Sequence, residues 1–190
     1  MTVPARPLGA DLARIAVFAA LIIVLGMVTV PLPGGVPITA QTLGVMLAGL
    51  VLGWRRAPLA ILLVIALAAV GLPVLAGGRG GLGVLVGPTA GYLLGWIPAV
   101  IVIGLIVRRF TWWRAAIACL VGGIGVVYAF GVPVQALVTG APLGATALSS
   151  VVFLPGDLLK AAAATLLALA LHRAYPRAFD RRPRAVARVA

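Results

Sequence analysis

Charged residues interrupt the apolar character of this chain at only a few places, and between them lie six apolar blocks. The first covers residues 12–30 and ends at Pro31-Leu32-Pro33-Gly34-Gly35. The second, 38–52, is short and stops at Trp54-Arg55-Arg56. The third, 57–75, gives way to the glycine-rich stretch Ala76-Gly77-Gly78-Arg79-Gly80-Gly81. The fourth, 84–107, carries Gly87-Pro88-Thr89 near its start and closes on Arg108-Arg109, and the fifth and sixth cover 115–138 and 146–171. A run of about twenty apolar residues is what a helix needs to cross roughly 30 Å of hydrocarbon. Lipid offers backbone groups no partner, so each segment must satisfy its own hydrogen bonds, which a helix does. The alternation over about ten residues that marks a membrane β-strand is absent. The pattern predicts an all-α integral membrane protein with six transmembrane helices.

Composition agrees. Of 190 residues, 63% are hydrophobic and 9% charged, with a mean hydropathy of +1.22, whereas a soluble domain carries roughly a quarter of its residues charged. The net charge of +12, from 15 Lys+Arg against 3 Asp+Glu, would suggest nucleic acid in a soluble protein. Here the basic residues sit in short connections and the tail, where they set membrane orientation. With a cytoplasmic N-terminus, the inside regions hold Arg6, Arg14, Arg55, Arg56, Arg108, Arg109, Arg114, Arg173, Arg177, Arg181, Arg182, Arg184 and Arg188, thirteen of the fifteen. The outside connections hold only Arg79, and Lys160 lies within a helix. Both termini are therefore expected in the cytoplasm. The expected organisation is a cytoplasmic N-terminal segment (1–11), a six-helix membrane domain (12–172) and a basic cytoplasmic tail (173–190). The first block exceeds a signal-peptide core and reads as a retained helix. Six helices leave no room for a soluble catalytic domain.

Small residues recur four apart at Ala16/Ala20, Gly49/Gly53 and Gly91/Gly95. Such pairs let helices approach closely, either within the chain or against another membrane subunit.

Candidate chemistry concentrates in the sixth block, at Phe153-Leu154-Pro155-Gly156-Asp157-Leu158-Leu159-Lys160. Asp157 and Lys160 share a helix face. Lys160 precedes Arg173 by thirteen residues, about 20 Å of helix, which puts the pair in the outer half of the bilayer. A charge at such depth costs at least about 2.5–3.5 kcal/mol, so the pair either pins helices together or serves a ligand. Pro155-Gly156 is expected to break or kink the helix beside it, which favours a small-solute site. Arg79, in a loop able to fold over a cavity, and Gln41, Thr42, Thr89, Tyr92 and Gln135 are the accompanying candidates. Each polar one alone is as readily a helix–helix hydrogen bond.

Other chemistry is excluded. Gly78-Arg79-Gly80-Gly81-Leu82-Gly83 fits G-x-G-x-x-G but lacks the strand and βαβ unit of a dinucleotide site. The phosphate-binding G-x-x-x-x-G-K-[ST] is missing, since Lys160 is the only lysine. Cys119 and His172 are single and build no metal cluster, disulfide or catalytic set. No cofactor, metal or enzymatic activity is expected, and His172 reads as an interfacial residue.

Val36-Pro37-Ile38-Thr39-Ala40-Gln41-Thr42-Leu43, Gly71-Leu72-Pro73-Val74, the glycine-rich loop, Gly87-Pro88-Thr89-Ala90-Gly91-Tyr92 and 153–160 together resemble the BioY family, in the family's order and over about 12–171. The resemblance implies an S-component of an energy-coupling-factor (ECF) vitamin transporter, with an ECF S-component-like fold of six helices in a prokaryotic cell membrane. It implies biotin as ligand, held near the outer face under the loop between the third and fourth helices, with Asp157 and Lys160 in contact. Arg79 departs from the neutral polar residue usual at its position. It could meet the headgroup, pair with the valerate carboxylate or face water. The implied partners are a membrane coupling subunit and two cytosolic ATPases, with Ala16 and Ala20 matching the alanine pattern that meets the coupling subunit. Competing readings are an S-component for another vitamin, an autonomous carrier, which calls for a two-half repeat, and a membrane scaffold.

Overall fold

The computed structural model describes residues 8–30 and 38–179. Arg6, Pro31-Leu32-Pro33-Gly34-Gly35, Val36-Pro37 and the tail arginines Arg181, Arg182, Arg184 and Arg188 lie outside them. Helix α1 (Leu8–Met27) is followed by two short strands, β1 (Thr29–Val30) and β2 (Ile38–Thr39). They pair antiparallel with Thr29 opposite Thr39. The hydrophobic pattern does not predict this ribbon, whose four residues are all β-branched and suit extended backbone. Helices α2 (Gln41–Ala69), α3 (Ala90–Ile106), α4 (Trp112–Ala118), α5 (Val127–Thr139), α6 (Leu143–Ser150) and α7 (Leu154–Ala174) complete the helical body. Four helical runs are long and apolar enough to cross a membrane: Gly9–Met27, Gln41–Ala69, Trp112–Thr139 and Leu143–Ala174. Ala90–Ile106 is a shorter apolar helix.

Within α2 the backbone leaves helical geometry at Gly53 (φ 74°, ψ 177°), a region that L-residues with a Cβ rarely enter. It divides the element into helical segments 41–52 and 54–69, close to the second and third apolar blocks. The Gly49/Gly53 pair thus resolves into two roles. A Cβ on Gly49 would stand 2.8 Å from Ile103 Cγ2 in α3, so Gly49 is a packing contact, and Gly53 is the break itself. Gly91 and Gly95 face α5, where a Cβ on Gly91 would meet the Phe130 carbonyl oxygen at 2.5 Å; they too serve packing within the chain.

Three boundaries differ from expectation. The third block stops being helical at Ala69 because Gly71 takes φ 99° and Pro73 restricts the residue before it. The fourth helix begins at Ala90, since Pro88 disfavours helical backbone at Gly87; two short 3₁₀ turns, Ala76–Gly78 and Leu82–Leu85, precede it. In the sixth block the irregularity falls at the 3₁₀ segment Val151–Phe153. Pro155 sits in the first turn of α7, where its missing N–H costs no helical bond, so Pro155-Gly156 starts a helix and does not break one.

Between α4 and α5 the chain winds as a π-helix over Cys119–Val126. That run holds Gly122, Gly123 and Gly125, and such wide turns recur at functional sites. The core forms two adjoining clusters. One joins Ile15, Ala19 and Ile22 of α1 to both parts of α2 and to Leu93, Trp96 and Val100 of α3. The other joins Met46, Leu50 and Ile103 to Cys119 and to Ala161, Ala164 and Ala168 of α7. The outer surface carries Val17, Leu137, Leu148, Leu159 and Leu166, all well over half exposed. Apolar cover of that extent belongs against lipid.

At one end of the body Arg56 pairs with Asp11 at 2.8 Å and the Arg14 guanidinium donates to the Ala178 carbonyl at 3.4 Å. His172 packs against Phe110 and Phe179, with ring centroids 4.6 and 4.8 Å away. The residue expected at an interface is thus part of an aromatic cluster that fastens the end of α7.

Candidate functional site

A cavity of about 100 Å³ is lined by β2, the start of α2, the loop that follows α2, α3, the π-helical run, α5, the turn at Phe153 and α7; by the same measure a single water needs roughly 15 Å³. Asp157 enters it from the first turn of α7, where the helix dipole favours a negative charge. Its Oδ1 accepts from Lys160 Nζ at 2.8 Å, and the two side chains keep only 10% and 15% exposure. Its Oδ2 accepts from the Tyr128 hydroxyl at 2.6 Å. Each carboxylate oxygen has two lone pairs and the ammonium three protons. After these contacts each Asp157 oxygen can accept once more, and Lys160 can donate twice more.

The loop over the cavity is a tight reversal. Leu75 and Arg79 exchange backbone hydrogen bonds of 3.0 and 3.2 Å, with Gly77 and Gly78 at φ 70° and 73°. Arg79 Nε donates to the Ala76 carbonyl at 3.0 Å. Gln41, buried at the start of α2, donates to the Val74 carbonyl at 3.3 Å and so ties the loop to the helix beneath it.

The aromatic wall comes from Tyr92, Trp96, Tyr128 and Phe153. Tyr92 and Tyr128 meet edge to face at 6.1 Å. Gly131 lets the Tyr92 ring lie directly on α5, where any Cβ would overlap it. The Tyr92 hydroxyl donates to Gln135 Oε1 at 2.8 Å and lies 3.2 Å from Ser150 Oγ. Trp96 Nε1 and Thr42 Oγ1 are buried with no hydrogen-bond partner among the described residues, and both residues line the cavity. A buried polar atom without a partner costs about 1–3 kcal/mol, so the two call for a polar occupant.

Of the candidates read from the sequence, Asp157, Lys160, Arg79, Gln41, Thr42, Thr89 and Tyr92 come together around this cavity. Gln135 is not among the lining residues and stands behind Tyr92. Ala16 and Ala20 are away from it, exposed on the outer face of α1. Sequence reasoning missed Tyr128, Trp96, Thr39 and Phe153. Tyr128 carried a usable signal, as a tyrosine in an otherwise apolar segment whose hydroxyl needs a partner. Trp96 lies within an apolar run and gives no such signal.

Fold and site together define a multi-pass helical membrane protein built around a solute-sized cavity that holds a buried acid–base pair. A model of the BioY family matches residues 2–177, and the chain belongs to that family. It is 45% identical over 178 residues to the biotin transporter BioY of Rhizobium etli, covering 87% of this chain and 95% of that protein. It is 50% identical over 178 residues to the biotin transporter BioY of Rhodobacter capsulatus, covering 86% and 94%. The fold matches the 2.1 Å crystal structure of the S-component for biotin from an ECF-type ABC transporter. The TM-score is 0.84 at 30% identity, over 90% of this chain and 95% of that one. The fold is that of an ECF S-component.

Proposed function

We propose that this chain is a biotin-binding S-component, a transport protein and not an enzyme, which captures biotin at the outer face of a prokaryotic cell membrane. The observation that carries the reading is the Asp157–Lys160–Tyr128 cluster inside an aromatic-walled cavity of a BioY-family fold. The cyclic urea of biotin has two N–H donors and one oxygen acceptor. The two unused acceptor positions on Asp157 and the spare protons of Lys160 match it through charge-assisted hydrogen bonds. Tyr92, Trp96 and Phe153 supply apolar surface for the fused ring, and Trp96 Nε1 and Thr42 Oγ1 gain partners. Gln41 and Thr89 line the pocket, and Gln135 supports Tyr92.

Six crossings with both termini in the cytoplasm are the topology this function needs. The break at Gly53 supports it: with 41–52 and 54–69 counted separately, and Trp112–Thr139 and Leu143–Ala174 each taken as one run, the described residues hold six helical segments. So does the basic and aromatic edge, where Arg55 lies over Trp54 at 4.7 Å and Arg114 over Trp113 at 5.0 Å; such residues gather at the cytoplasmic interface. Residues 12–172 form the membrane domain, between the cytoplasmic segment 1–11 and the tail 173–190. A chain with a site and no nucleotide motif depends on partners, a membrane coupling subunit and two cytosolic ATPases. The exposed Ala16 and Ala20 are the proposed docking face for the coupling subunit, since small residues admit a close helix.

Titration of the purified protein in detergent tests this. Saturable biotin binding is expected, displaced by desthiobiotin but not by riboflavin or thiamine, and absent in Asp157→Ala. Well-folded protein that binds no biotin would overturn the reading. Bulky residues at Ala16 and Ala20 should leave binding intact and abolish uptake in cells that co-express the coupling module; lost binding would make that face internal packing.

A further inference from the structure

The cavity carries three charged side chains, Arg79, Asp157 and Lys160. Asp157 and Lys160 neutralise each other at 2.8 Å, which leaves the site with one positive charge in excess. Arg79 forms no ion pair among the described residues. Its position is nevertheless fixed, because the reversal at 75–79 is held by backbone bonds at both ends and Nε is spent on the Ala76 carbonyl. That arrangement keeps the guanidinium over the cavity with both Nη groups available, the geometry that grips a carboxylate with two parallel bonds.

We infer that Arg79 is a specificity-determining residue that reads the ligand's carboxylate and makes the site prefer the free acid over a neutral derivative. The inference rests on the biotin reading and adds which end of the ligand each charge meets. The self-neutralised pair on α7 takes the polar ring, and the loop arginine takes the acid. Lys160 is the weaker candidate for the acid, since Asp157 already holds it.

The test is equilibrium titration of the purified full chain with biotin and with biotinamide, which differs only by replacing the carboxylate with an uncharged amide. Loss of a charge-assisted contact is worth about tenfold to a hundredfold in affinity. Wild-type protein should bind biotin at least tenfold more tightly than biotinamide. Arg79→Gln should lower that ratio to threefold or less, mostly by weakening biotin, and Arg79→Lys should retain part of it. Equal weakening of both ligands in Arg79→Gln would overturn the inference and assign Arg79 to the ring. An unchanged ratio would overturn it and leave Arg79 facing water. Wild-type protein that binds neither ligand would overturn the biotin reading, and this inference with it.

Discussion

Two acid–base pairs, each 2.8 Å long, stand at opposite ends of this molecule. Asp157–Lys160 is local, three residues apart on one helix, and is more buried, at 10% and 15% side-chain exposure. Asp11–Arg56 is tertiary, joining α1 to the segment after the Gly53 break, with exposures of 23% and 17%. Length and chemistry do not separate them; surroundings do. Asp157 has a tyrosine on its second oxygen, an aromatic wall beside it and open space to fill. Asp11–Arg56 lies near Arg14, whose guanidinium reaches the Ala178 carbonyl, and no cavity adjoins it among those described. A buried ion pair is by itself weak evidence of stabilisation, because desolvation offsets most of the attraction. On the proposed function the first pair is a ligand site, and the second is a clamp that fastens α1 to the segment after Gly53.

The sharpest way to break that contrast is to neutralise each acid in turn. Asp157→Asn keeps the shape but loses the charge that holds Lys160 and that is proposed to receive the ureido donors. Biotin affinity should fall by about a hundredfold or more, two contacts to a charged group at roughly 1.5 kcal/mol each. Asp11→Asn should change affinity by less than about threefold. Equal losses, read by titration, would make the two pairs one functional unit. Tyr128→Phe probes the same end more gently. Removing the hydroxyl frees Asp157 Oδ2 to swing, and affinity should drop about tenfold while thermal stability in detergent barely moves. An unchanged affinity would mean that Lys160 alone fixes the carboxylate.

The contrast also shows what the sequence could reveal. Six apolar blocks, the gathering of arginine in the connections between them and the i, i+3 spacing of Asp157 and Lys160 are all local patterns, and they led to the helical body and the heart of the cavity. Asp11–Arg56 spans 45 residues, and no spacing rule connects its members. Tyr128 was missed for the same reason, since its partner lies 29 residues away on another element. The β1–β2 ribbon and the late start of α3 were hidden because apolar residues suit strand, loop and membrane helix alike. Pro155-Gly156 misled because proline in a first turn and proline in mid-helix look identical until the helix start is known.

If Asp11–Arg56 is a clamp, its removal should appear in stability and not in binding. Asp11→Asn removes a partly exposed pair and an acid in the first turn of α1, which together should cost about 1 kcal/mol, visible as a lower unfolding temperature in detergent. No shift would mean that the Arg14 contact and the Phe110–His172–Phe179 cluster hold that end unaided.

The smallest effect defines where the binding end stops. Gln135 accepts the Tyr92 hydroxyl at 2.8 Å but does not line the cavity, and Ser150 Oγ stands 3.2 Å from the same hydroxyl. In Gln135→Leu the tyrosine therefore keeps one polar neighbour, and its ring keeps the seat over Gly131. Affinity should fall threefold or less, since one neutral hydrogen bond of about 0.5–1.5 kcal/mol is partly replaced and acts only through Tyr92. A loss as deep as that of Asp157→Asn would place Gln135 in contact with biotin. The binding end would then reach past Tyr92 to the second half of α5, and the boundary between ligand-holding and fold-holding polar residues would have to move with it.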